Sequence, residues 1–71
     1  MQEKLKILDT VALIEDISEN NLMVGQVGTI VDIWDEGVFE VEFNDNQGRT
    51  YAMLALRQDQ VIALHYSPAV A

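Results

Sequence analysis

The run Val38-Phe39-Glu40-Val41-Glu42-Phe43 sets the tightest limit on what this chain can fold into. Side chains of a β-strand alternate between its two faces, so this order puts Phe39, Val41 and Phe43 on one side and Val38, Glu40 and Glu42 on the other. The oily side needs cover and the carboxylate side needs water. The run therefore belongs to a sheet with one packed face and one wet face.

Its flanks extend the sheet. Val27 to Trp34 is rich in β-branched residues, and Asp35-Glu36-Gly37 has the length and composition of a hairpin turn. Asn44-Asp45-Asn46-Gln47-Gly48 carries strong turn chemistry and leads into Arg49 to Leu56, which completes a meander. Ahead of these, Leu8 to Ile14 reads as a strand and Glu15 to Met23 as a long polar connection. Behind them, Arg57-Gln58-Asp59 reads as a short turn or a single 3₁₀ turn, and Val61 to Leu64 as a last short strand. No window keeps a helical apolar stripe over three turns. The expectation is all-β: five short strands curled into a small, partly open barrel that hides most of its edges.

A chain of 71 residues buries only ~60% of its unfolded surface, so a single core is all it can build. One domain is expected over residues 1–64, with residues 65–71 as a flexible tail. Inside it, Val27, Thr29, Val31 and Ile33 are expected to face the core with Phe39, Val41 and Phe43. Leu54 and Leu56 share a face with Thr50 and Ala52, which leaves Tyr51 and Met53 opposite. Because Val27 to Trp34 is apolar on both sides, a slip of one residue would exchange its faces.

Gly25, Gly28, Gly37 and Gly48 are read as structural turn or bend positions. The Gly25/Gly28 pair lacks the third glycine of a dinucleotide fingerprint and the Gly-Lys-Ser/Thr ending of a phosphate-binding loop. It also opens a strand, where anion sites use a helix N-terminus. It bends the chain, by positive φ or by close backbone approach.

Leu8-Asp9-Thr10-Val11-Ala12-Leu13, Leu22 to Val31, and Phe39 to Phe43 with Gly48-Arg49-Thr50 together resemble the small bacterial family of domain of unknown function 4926, from about Leu5 to Leu64. The element L-x-x-G-x-x-G-T-I-V is also similar to the entry of the second strand in SH3-like and KOW-type barrels. The resemblance implies an SH3-like barrel and, through neighbouring genes of toxin or immunity type, a binding role. Met23 and Val24 stand where a KOW-type nucleic-acid binder is expected to have polar or basic residues, which points to an apolar contact near that loop.

Twelve acidic residues against four basic ones give a net charge of -8. Nucleic acids and anionic membranes are expected non-partners, because binding them rests on Lys and Arg. A basic protein is the expected partner, steered in by charge. Cys is absent, which removes thiolate chemistry and disulfides and suits a reducing cytoplasm. No apolar stretch reaches the ~20 residues of a membrane span.

Catalytic, cofactor and metal sites find no support. His65 is the sole histidine and falls in the tail; Ser18 and Ser67 lack a nucleophile elbow. Glu40 and Glu42, with Asp32 nearby, form a carboxylate group without the apolar cleft that hydrolytic pairs need. Asn44 to Gly48 fails the calcium-loop pattern in its first residue and in the closing Glu.

The aromatic residues give the functional expectation. Trp34 falls on the face opposite the core, or on the rim, and Trp is enriched at binding hot spots. Tyr51 and Met53 extend a Trp34 patch rimmed by Asp32, Asp35, Glu36, Glu40 and Glu42. The competing structural role for Trp34 is a lid over an open barrel end. The expected function is a non-catalytic, acidic protein-interaction module of antitoxin or immunity type. Alternatives are an accessory or docking subunit of an enzyme or electron-transfer complex, KOW-like nucleic-acid binding, which the charge disfavours, and self-association through the last strand or tail.

Overall fold

Every expected strand forms in the computed structural model, which describes residues 4–66 and 68: β1 Thr10–Leu13, β2 Val27–Asp35, β3 Val38–Asn44, β4 Thr50–Arg57 and β5 Val61–Ala63. Single 3₁₀ turns at Ser18–Asn20 and Gln58–Gln60 are the only helical elements among the described residues. The strands join into one antiparallel sheet in the order β4-β3-β2-β1-β5. The chain is all-β and this arrangement is consistent with a small SH3-like fold. β4 and β5 are not paired with each other, so the sheet is not closed into a barrel and both edges stay open.

The core lies on the side of β3 that carries Phe39, Val41 and Phe43, as the alternation requires. Leu54 and Leu56 of β4 stand opposite Val41 and Phe39 and complete that side. Val11 and Leu13 of β1 and Ile30 of β2 are fully buried against them. The connection between β1 and β2 is polar in sequence, yet Ile17 and Leu22 pair with each other and drop into the same core. Asp16 accepts from the Val24 N–H at 2.9 Å and the Leu13 carbonyl from the Gly25 N–H at 2.8 Å, so the loop is tied down at its return. Between β4 and β5, buried Gln60 closes the 3₁₀ turn. Its Oε1 accepts from the Arg57 N–H at 2.8 Å and its Nε2 donates to Glu15 at 3.1 Å.

The inward residues of β2 are not the expected Val27, Thr29 and Val31. Gly28 stands opposite Phe43 and Ile30 opposite Val41, and Ile30 is 0% exposed whereas Val27 is 45% exposed. Only Ile33, opposite Phe39, lies on the expected side, and at 42% exposed it sits at the margin and not in the core. The cause is a register shift between Ile30 and Asp32, where β2 advances two residues while β3 advances one. Such a bulge exchanges the inward parity of everything beyond it.

Gly25, Gly37 and Gly48 have φ of +92°, +79° and +82° and do serve turns. Gly28 does not: it lies inside β2 without a positive φ, and close packing is what requires it. His65 and Tyr66 follow β5 without strand structure, while Ser67 and residues 69–71 of the expected tail lie outside the described residues. Among the described residues no helix is long and apolar enough to cross a membrane.

Candidate protein-docking face

The outer face of β2, β3 and β4 is built by the ladder. Asp32 stands opposite Glu40 and Thr29 opposite Glu42, while Ala55 and Met53 of β4 lie on the far side of those two glutamates. Residues directly opposite in an antiparallel pair project to the same side. The face therefore reads, from β2 to β4, as Asp32–Glu40–Ala55 in one row and Thr29–Glu42–Met53 in the next.

A second shift, between Ile33 and Asp35, frees Trp34 from the ladder. Its indole Nε1 donates to Glu40 Oε1 at 2.6 Å, which fixes the ring on the outer face, where it is 63% exposed. A lid would lie over Phe39 and Leu56 on the other side of the sheet. Trp34 instead lies on the wet side, hydrogen-bonded to one of its carboxylates. Asp35 and Glu36 continue the acidic rim at the β2–β3 turn, where Asp35 accepts from the Glu36 N–H at 2.7 Å.

Glu42 is held differently. Its Oε2 accepts from the Thr50 hydroxyl at 2.5 Å, and Asn44 Nδ2 donates to the same hydroxyl at 3.0 Å. Thr50 thus belongs to this face and not to the core side expected for it. The signal was the shift between Phe43 and Asn44, which leaves Tyr51 as the extra residue of β4 and has no mark in the sequence.

Tyr51 goes the other way. Its ring centroid lies 6.2 Å from that of buried Phe43, and its hydroxyl accepts from Gln26 Nε2 at 3.1 Å. It closes the Phe43 end of the core and does not adjoin Trp34. Met53, 54% exposed beside Glu42, is the larger of the two apolar residues, with Ala55, that β4 brings to the acidic face.

Among the described residues no ion pair reaches Asp32, Asp35, Glu36, Glu40 or Glu42. The described ion pairs join Lys6 to Asp9, Arg49 to Asp45 and Arg57 to Asp59, each a short-range contact; Arg57, opposite Val38, stands on this same face at its β2–β3 turn end and pairs with Asp59 instead of with these carboxylates. Asp45 shows what such local bonding does: the Arg49 backbone N–H, then that of Gln47 and the Arg49 side chain, hold its carboxyl below the ordinary aspartate range. The Asn44 to Gly48 segment is thereby an ordinary turn built around Asp45. Asp9 is lowered in the same way, first by the backbone N–H of Lys6.

The remaining candidates stay apart. Ser18 opens an exposed 3₁₀ turn and His65 follows β5. Among the described residues no three His, Cys, Asp or Glu side chains are grouped to hold a metal ion. A shallow open depression beside the β2–β3 turn is lined by Glu36, Gly37, Val38, Arg57, Gln58 and Asp59. What the outer face offers is an exposed indole, held by one hydrogen bond, among solvated carboxylates.

A family model described as a domain of unknown function (DUF4926) matches residues 7–63. No curated protein and no solved structure matches the chain.

Proposed function

The chain belongs to the DUF4926 family, whose description assigns no activity, and from its own surface we propose a non-catalytic module that docks a basic protein on the outer face of β2, β3 and β4. The observation that carries this reading is Trp34. An indole that is 63% exposed, hydrogen-bonded to Glu40 and set among carboxylates that have no ion-pair partner among the described residues has the anatomy of a binding anchor with a charged rim. The net charge of -8 steers a basic partner inward and repels phosphate backbones. An absence of cysteine suits a reducing bacterial cytoplasm. The partner classes that fit are a cognate toxin or an enzyme subunit with a basic docking surface.

The test is capture by the immobilised chain from a native lysate at low and at high salt, repeated with the triple variant Asp32→Asn/Glu40→Gln/Glu42→Gln. The expected result is a basic protein retained at low salt, released at high salt and lost with the variant. Retention indifferent to the three substitutions, or retention of nucleic acid alone, overturns the reading.

A further inference from the structure

We infer that the group this face grips is an arginine side chain of the partner, its guanidinium stacked on the Trp34 indole and bridged to Asp32 and Glu40. The inference rests on the docking reading above and narrows it from a basic surface to one side chain.

Three observations converge on it. First, Trp34 is held through its N–H by Glu40 and is 63% exposed, which leaves ring surface for a cation to stack on. Second, Asp32 and Glu40 are direct neighbours across the β2–β3 ladder, and like charges so placed repel. Each already spends one oxygen inside the protein, Glu40 Oε1 on Trp34 and Asp32 Oδ1 on the Ile33 N–H at 2.8 Å, which leaves the second oxygen of each for an outside donor. Third, three of the chain's four basic side chains are engaged with Asp9, Asp45 and Asp59, so the repulsion between Asp32 and Glu40 is not relieved by them. A cation from a partner relieves it.

The geometry selects arginine over lysine. A guanidinium is planar, stacks on an aromatic ring and presents a fork of N–H donors to more than one carboxylate oxygen at once. An ammonium is compact and strongly hydrated, and satisfies one such demand at a time. Trp34 is the sole tryptophan, so its emission reports the site without a label.

The experiment titrates the purified chain with oligo-arginine and oligo-lysine peptides of equal length at low salt, following Trp34 fluorescence and, independently, calorimetric heat. The expected result is that oligo-arginine binds about tenfold tighter and changes the emission more, because a guanidinium stacks on the ring and bridges both carboxylates at once. Trp34→Leu and, separately, Glu40→Gln bring the two peptides to near parity. Glu40→Gln keeps a carbonyl to accept the indole N–H, so it removes the charge without releasing the ring. Equal affinity of both peptides for the unmodified chain, or an arginine preference that survives Trp34→Leu, overturns the inference and leaves the docking reading standing. Binding of neither peptide overturns both.

Discussion

Gly28 lies across the ladder from Phe43, and a β-carbon built on it falls 3.1 Å from Phe43 Cδ2 and 2.6 Å from Val41 Cγ1. Both neighbours are fully buried, so neither has room to retreat. The glycine is what lets β3 press Val41 and Phe43 against β2. Gly28→Ala therefore costs stability by overpacking, about 1 to 3 kcal/mol, although alanine is the better strand residue elsewhere. For a domain of this size each kcal/mol lowers Tm by roughly 4 to 8 °C. Adding Val41→Ala removes the closest clash, so the double variant loses less than the sum of the two single losses, as a thermal double-mutant cycle measures. Strict additivity would place the cause elsewhere.

Trp34 separates binding from folding. It packs on the wet face, so Trp34→Ala shifts stability by no more than about 0.5 kcal/mol while abolishing most capture of a basic partner. Chemical denaturation beside a binding assay reads both quantities from one preparation. A large stability loss with capture intact would assign the residue to the fold.

Acid should weaken the β3–β4 turn. The Asp45 carboxyl is held below its ordinary range chiefly by the Arg49 backbone N–H, so the native state favours the charged form. Its stabilising contribution is complete above the ordinary aspartate pKa and is lost as pH falls through the lowered, native value. Carboxyl carbon NMR titration should place the Asp45 and Asp9 midpoints below those of aspartate in an unfolded peptide. Midpoints at or above that reference contradict the assigned bonding.

Gln60 joins three segments through one buried amide. Gln60→Leu keeps the volume and removes both bonds, leaving the Arg57 N–H and the Glu15 carboxylate without this partner. The expected loss is about 1 to 3 kcal/mol, with amide exchange accelerated at Arg57 before the central strands are affected. Unchanged exchange at Arg57 would show that the amide carries no such burden.

Where pattern and packing agreed, the sequence was readable. Alternation from Val38 to Phe43 placed β3 and its carboxylates, and the Gly37 and Gly48 turns delimited its neighbours. The acidic composition of the outer face, with Trp34 among Asp32, Glu40 and Glu42, followed from that single strand and its hairpin. The inward side of β2 did not follow, because a strand apolar on both sides carries no internal record of its parity. That parity is decided by Gly28, whose missing side chain makes room for Phe43, a fact that exists only once the strands meet. Tyr51 was misplaced beside Trp34 for a related reason: the shift at Phe43/Asn44 turns it toward Gln26. Ile17 and Leu22 were hidden differently, as lone apolar residues in a polar connection whose pairing is visible only in three dimensions.

The shift at Val31 has one more effect. Were β2 straight, strict alternation beyond Ile30 would carry Asp32 toward Val41 and Phe39 and strand an unpaired carboxylate in oil; the surplus residue keeps it in water. Val31 is thus a spacer, and a chain shortened by that one residue would run Ile30 directly into Asp32 with every later side chain still on its present side.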